Sequence, residues 1–97
     1  YTALEAKLEA LSHEVAVRLQ KNNLKGKTVT IKLRLSDFKT FTRQQTHTIP
    51  IDDPLIIFRS ARELLQRESV DGLEFRLIGL TVSGFYGHEQ LQLFPNE

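Results

Sequence analysis

Basic and hydroxyl side chains alternate with apolar ones along residues 28–35. Successive side chains of an extended chain point to opposite faces, so this alternation predicts a strand with one buried face and one polar face. The polar face holds Thr30, Lys32 and Arg34. Lysine and arginine neutralise phosphate groups, and threonine hydroxyls donate hydrogen bonds to phosphate oxygens. The pattern therefore indicates a surface that can hold a nucleic-acid backbone.

The chain is nearly neutral, yet its basic residues are concentrated in one segment. Residues 23–50 hold six lysines and arginines against a single acid, Asp37, while the net charge of the whole chain is +1. Such a distribution is typical of a face that meets polyanions. A solvated, lysine-rich hairpin explains the composition equally well. No aromatic residue interleaves the basic ones along the strand of residues 28–35, which argues against a base-stacking platform and favours contacts with the backbone.

Residues that could form a catalytic centre do not have the spacings that catalysis requires. His13, His47 and His88 are far apart in the sequence and lack metal-ligand spacing. Asp52 and Asp53 are adjacent carboxylates, but helix capping explains them better than acid–base chemistry. No serine lies in a nucleophile elbow, and the glycines lack the lysine and the helix of a phosphate loop. We expect neither an active site nor a metal site in this chain.

The C-terminal segment Gln90-Leu-Gln-Leu-Phe94 has two interpretations. In the first it is a short edge strand, with Leu91 and Leu93 buried on the domain. In the second it is a linear docking peptide with one polar and several apolar anchors seated in a partner's groove. The anchors would be Gln90, Leu91, Leu93 and Phe94. Either interpretation buries a Leu-Phe pair that would otherwise lie exposed at a polar terminus.

The elements that must position these residues follow the order helix, strand, strand, helix, strand. An apolar stripe at steps of three and four predicts the first helix, behind a capping box formed by Thr2 and Glu5. The stripe consists of Leu4, Leu8, Leu11, Val15 and Leu19. Pro54 begins the second helix, which runs to about Ser69. Gly79 indicates either a bulge in the last strand or a close approach of another backbone. The predicted strands are residues 28–35, 41–49 and 73–83, and the core stripe of the second helix is Ile57, Ala61, Leu64 and Leu65.

Two amphipathic helices can cover only one face of a small sheet. The predicted fold is therefore an α+β two-layer sandwich, with both helices on one face of a small mixed, mainly antiparallel sheet. With 97 residues, of which 40% are apolar, the chain is expected to form a single domain. It has no cysteine and no apolar run long enough to cross a bilayer, so we expect a monomeric, cytoplasmic chain without membrane contacts.

Five segments, in this order, resemble the little finger of Y-family DNA polymerases, in particular of the bacterial DinB or DNA polymerase IV branch. They are Lys27–Leu35, the pair Asp37-Phe38, Thr42–Gln44, Ala61–Leu65 and Phe75–Leu80. The resemblance extends from residue 1 to about residue 85. The segment Gln90–Phe94 is similar to the bacterial sliding-clamp binding peptide of pattern Q-L-x-L-F. We accordingly expect a little-finger-like domain of residues 1–86 and a tail of residues 87–97 that docks on a sliding clamp.

The resemblance implies a parent enzyme that is a low-fidelity, template-directed DNA polymerase using magnesium and deoxynucleoside triphosphates to copy past damaged bases. Its catalytic carboxylates would lie in a palm domain outside this chain. This chain would need no cofactor of its own. The little finger would hold primer–template duplex DNA. The candidate DNA-binding residues are Thr30, Lys32, Arg34, Thr42, Arg43, Gln44, Arg76 and Thr81.

This chain departs from the family pattern in two respects. Family members begin the domain with a strand before the first helix, whereas this chain begins at the helix, so the strand at 73–83 should form an open edge of the sheet. Some relatives have basic residues in that strand, where this chain has Leu77 and Thr81. The hairpin of residues 28–46 is therefore the preferred DNA contact. The alternative is a ferredoxin-like regulatory or protein-interaction domain without a role at DNA.

Overall fold

The predicted order of elements is confirmed in a computed structural model, which describes residues 3–35, 38–68 and 75–85. The elements are α1 (Ala3–Lys21), β1 (Gly26–Leu35), β2 (Thr40–Ile51), α2 (Pro54–Glu68) and β3 (Phe75–Phe85). The predicted boundary between domain and tail at residue 86 lies outside the described residues. Thr2 of the predicted capping box also lies outside them.

β1 is the central strand of a three-stranded sheet with the order β2-β1-β3. Both pairings are antiparallel. The last strand therefore lies beside the first strand of the hairpin and forms one edge of the described sheet, as the family pattern predicted. Lys7 of α1 reaches this edge, where its Nζ donates to the carbonyl oxygen of Leu77 at 2.9 Å.

The predicted apolar stripe of the first helix contacts the core, and two small residues that were not part of the prediction are buried beside it. Leu8 and Leu19 are buried as expected, whereas Leu11 and Val15 are only partly buried. Two small residues, Ser12 and Ala16, occupy the fully buried positions between the leucines. Small side chains let α1 lie close to its neighbours, and the Ser12 hydroxyl is satisfied by donating to the Leu8 carbonyl at 2.7 Å.

The ends of the helices follow the local sequence. Asn23 has a left-handed φ of 55°, and the amide of Leu24 donates to the Leu19 carbonyl at 2.8 Å, which closes the last turn of α1. Asp53 caps α2 as predicted, because its Oδ1 accepts from the Leu55 amide at 2.8 Å. All four predicted core residues of α2 are buried. They are Ile57, Ala61, Leu64 and Leu65.

Both helices lie on one face of the sheet, which confirms the predicted two-layer α+β fold. Val29, Ile31 and Leu33 of β1 are completely buried in one cluster with the inward side chains of α1 and α2. Residues of alternate parity on the same strand remain on the opposite face, which neither helix covers. Neither helix among the described residues is long and apolar enough to span a membrane.

Replacement of Gly26 by alanine should lower the free energy of unfolding by about 1–3 kcal/mol. A Cβ atom at Gly26 would lie 2.6 Å from both the Ser83 carbonyl oxygen and Val82 Cγ1. The carbonyl belongs to the paired strand β3, so it cannot retreat without distorting the sheet. Urea denaturation measures the change.

Gly79→Ala is the matched control, because a Cβ there would meet nothing closer than Lys32 Cβ at 3.7 Å. Its free energy of unfolding should stay within about 1 kcal/mol of the wild-type value. Equal losses in the two variants would show that the close approach at Gly26 does not matter.

Candidate nucleic-acid interface

The uncovered face of the sheet, which we call the open face, brings residues from all three strands side by side. Thr30 of β1 is paired with Gln44 on β2 and with Thr81 on β3. Lys32 is paired with Thr42 on one side. Cross-strand partners point to the same side of a sheet. Seven of the eight predicted DNA-binding residues therefore share the open face: Thr30, Lys32, Arg34, Thr42, Gln44, Arg76 and Thr81.

Arg76 reaches the open face because of a bulge in β3. Lys32 is paired with Gly79, but the next residue, Leu33, is paired with Leu77, so β3 has one extra residue at this point. A shift of one residue exchanges the two faces of a strand. Leu77 therefore enters the core, and Arg76 lies opposite Arg34 on the open face. The bulge indicated by Gly79 in the sequence is confirmed.

The positive charge of the open face is concentrated at the end next to the β1–β2 turn. Lys32, Arg34 and Arg76 are all exposed. None of the three makes an ion pair or a side-chain hydrogen bond with another residue of the described ranges. Strands β1, β2 and β3 also contain no aspartate or glutamate. Arg34 and Arg76 are directly opposite each other, and their like charges repel. An anion bound between them would reduce this repulsion.

Hydroxyl groups occupy the other end of the open face. Thr28 and Thr46 face each other across β1 and β2, with their Oγ1 atoms 3.1 Å apart. Thr81 and Ser83 continue the row on β3 and are exposed. These groups can donate to phosphate oxygens without adding charge. The open face thus combines a cationic end with a neutral donor end.

Arg43 lies on the opposite side of the sheet from the other candidates. Its strand partner is the buried Ile31, so it projects toward the helices. Its Nε donates to Glu68 Oε2 at 3.1 Å, and its guanidinium lies 4.5 Å from the centre of the Phe41 ring. The alternation of β2 requires this placement, since Thr42 and Gln44 occupy the open face. A DNA contact by Arg43 stays a prediction, but the geometry gives it partners within the fold.

A buried polar chain that the sequence did not indicate joins β2 to α2. His47 Nε2 and Ser60 Oγ are 2.8 Å apart, and Ser60 Oγ is 3.2 Å from Gln45 Oε1. A hydroxyl has one proton, so if Ser60 donates to the amide oxygen of Gln45, His47 donates through Nε2. Ser60 is only 3% exposed. The hydrogen bond between Ser60 and His47 therefore joins the helix to the sheet, with the serine hydroxyl buried.

Within residues 3–35, 38–68 and 75–85, no three histidine, aspartate or glutamate side chains come together in a way that could hold a metal ion. The predicted clamp-binding residues Gln90, Leu91, Leu93 and Phe94 lie outside the described residues. The part of the chain that the structure describes thus offers one coherent candidate interface, the open face.

Known proteins resemble the chain over most of its length. The model of the impB/mucB/samB family C-terminal domain matches residues 1–93. DNA polymerase IV of Dehalococcoides mccartyi is 38% identical over 97 residues, which cover 98% of this chain and 25% of that protein. DNA polymerase IV of Lactococcus lactis subsp. cremoris is 37% identical over 83 residues, covering 84% of this chain and 23% of the relative. The chain thus spans about a quarter of the length of these relatives.

A solved structure titled "Complex of beta-clamp processivity factor and little finger domain of PolIV" has the same fold. It superimposes with a TM-score of 0.64 at 28% sequence identity, over 87% of this chain and 75% of the other. The chain therefore belongs to the impB/mucB/samB family C-terminal domain, and it is a little finger domain of the DNA polymerase IV branch of Y-family polymerases.

Proposed function

We propose that the open face holds primer–template duplex DNA through its sugar–phosphate backbone, as the DNA-gripping module of a translesion polymerase. The observation that supports this most directly is a set of three cations without partners among the described residues, on a sheet whose strands contain no acid. They are Lys32, Arg34 and Arg76. Unpaired surface cations release counterions from DNA when they approach phosphates, which favours binding regardless of base sequence.

The dimensions of the sheet suit a duplex. A strand of ten residues, such as β1, is roughly 33 Å long and neighbouring strands are about 4.8 Å apart. A two-stranded ribbon fits a major groove about 12 Å wide. The hydroxyl end of the open face, with Thr28 and Thr46, would continue the contact along the backbone. No aromatic residue lies on the described open face between the cations, so the duplex contact should be blind to sequence.

The tail supplies a second proposed contact. The pattern of Gln90, Leu91, Leu93 and Phe94 fits a short extended peptide whose few apolar anchors provide most of the affinity. The related solved structure is a complex of a little finger domain with a β-clamp processivity factor. Together these observations support docking of the tail on a bacterial sliding clamp, which would keep the open face close to the DNA inside the ring.

Catalysis belongs, in this proposal, to another part of the parent polymerase. Nucleotidyl transfer uses paired carboxylates to hold two magnesium ions, and the sequence has no such pair in a suitable setting. The palm domain of the parent would supply them together with the bound magnesium. This chain would contribute only by holding and positioning the primer–template duplex.

Replacement of Lys32, Arg34 and Arg76 together by alanine should weaken duplex binding about equally for unrelated DNA sequences. The log–log dependence of affinity on salt should become shallower by about two to three units, since each lost phosphate contact removes about 0.9. Fluorescence anisotropy at several salt concentrations measures both effects. A changed sequence preference with an unchanged salt slope would refute the backbone contact.

The matched control compares two single variants that remove the same charge from opposite faces. Arg34→Ala should reduce the salt slope by about 0.9. Arg43→Ala should leave it nearly unchanged and lower stability by at most about 1 kcal/mol, because Arg43 is paired with Glu68 on the helix side. If both variants reduce the slope equally, Arg43 contacts DNA as the sequence predicted.

Replacement of Leu93 and Phe94 together by alanine should abolish clamp binding. Burial of each side chain contributes roughly 1.5–3 kcal/mol, so the pair accounts for most of the affinity of so short a peptide. Surface plasmon resonance with an immobilised clamp measures the loss. Gln92→Ala at the variable position is the control and should bind normally. Unfolding of the double variant would instead place the tail in the core.

The purified chain should not extend a primer in the presence of magnesium and deoxynucleoside triphosphates, because nucleotidyl transfer needs carboxylates that hold two metal ions. Within the residues that the structure describes, no three histidine, aspartate or glutamate side chains come together to hold a metal ion. A gel-based extension assay, with a full-length DNA polymerase IV as positive control, tests this. Magnesium-dependent extension that survives repeated purification would place catalytic residues in this chain.

A further inference from the structure

Phe38 combines two features that a surface aromatic seldom shows together. Its side chain is 80% exposed, the most of any large apolar residue among the described ones. Its backbone is in the left-handed region, with a φ of 69°. That region is populated mainly by glycine and asparagine, and an aromatic side chain there is strained. Phe38 thus combines a strained backbone conformation with an exposed apolar side chain.

The position of Phe38 relates it to the open face. Its amide donates to the Leu35 carbonyl at 3.0 Å in the turn between β1 and β2. The turn lies directly beyond the pairing of Arg34 with Thr40, at the cationic end of the open face. An anionic ligand that runs along the strands from Lys32, Arg34 and Arg76 would therefore reach this turn. Strain that persists next to a binding surface is a signature of a functional residue.

We propose that Phe38 stacks on an unpaired nucleobase where the duplex held by the open face gives way to single-stranded template. This inference rests on the proposed DNA grip. Bases inside a duplex have both faces covered, so a lone exposed ring can stack only where the duplex ends, and at a primer–template junction the next base beyond that end is unpaired. The strands of the open face offer no aromatic residue for this contact between the cations, and the turn supplies it.

Phe38→Trp tests the contact directly, because the chain contains no tryptophan and the new side chain is the sole indole. Stacking on a base quenches tryptophan fluorescence. Addition of a duplex with a single-stranded overhang of mixed sequence should quench the emission of this variant, whereas the same duplex with blunt ends should not. Equal quenching by both probes would overturn stacking on an unpaired base.

Ile49→Trp is the control, since Ile49 is also 70% exposed but lies near the far end of β2, roughly 30 Å from the turn. Its fluorescence should not respond to the overhang. DNA binding without quenching at position 38 would refute the stacking proposal and leave the proposed grip intact. Absence of DNA binding by the wild-type chain would refute both.

Phe38→Asn separates binding from folding. Asparagine tolerates the left-handed backbone, and the lost ring is almost fully exposed, so the melting temperature should rise by about 4 °C. We expect the wild-type chain to bind a duplex with an overhang about tenfold more tightly than a blunt duplex. The Phe38→Asn variant should lose this preference. A lower melting temperature would show that Phe38 serves the fold, and an unchanged preference would remove it from the interface.

Discussion

Burial of Val29, Ile31 and Leu33 beneath two helices holds β1 at the centre of the sheet, and every other feature of the molecule depends on that placement. The three side chains are completely buried, so a slip of β1 by one residue would move all of them into water. Burial of each contributes roughly 1.5–3 kcal/mol. This fixes the register of β1, and the same register orders the polar side chains on the opposite face.

The two faces of the sheet differ in whether their basic side chains have partners among the described residues. On the helix side, Arg43 is paired with Glu68 and stacked on Phe41. On the open face, Lys32, Arg34 and Arg76 have no partner among the described residues, and two arginines lie directly opposite each other. Repulsion between them lowers stability slightly. The fold tolerates this repulsion because its stability comes from the core on the helix side of the sheet. The open face therefore remains available for an anionic ligand.

The polar groups that are buried serve packing. Ser12 donates within its own helix, and Ser60 bridges α2 to Gln45 and His47 on β2. Buried hydroxyls that are hydrogen-bonded cost little and fix the position of the elements they join. Such contacts hold α2 against the hairpin, on the side of the sheet opposite the open face.

The sequence by itself determined the elements, the layer order and the polarity of β1, because each depends on local periodicity and local capping. The alternation along residues 28–35 and the cap at Asp53 need no knowledge of the rest of the fold. The five ordered segments also indicated the family correctly. The same alternation assigns Arg43 to the helix side once its neighbours Thr42 and Gln44 are placed on the open face.

Only the tertiary structure decided which distant residues meet. The bulge in β3 brings Arg76 opposite Arg34, and period-two reasoning cannot locate an extra residue without the partner strand. The complete burial of Ser12 and Ala16, beside the partly buried Leu11 and Val15, depends on how closely α1 approaches its neighbours. The strain at Phe38 is a property of the turn geometry. Cross-strand register and close packing are relations between distant segments, and a one-dimensional pattern does not contain them.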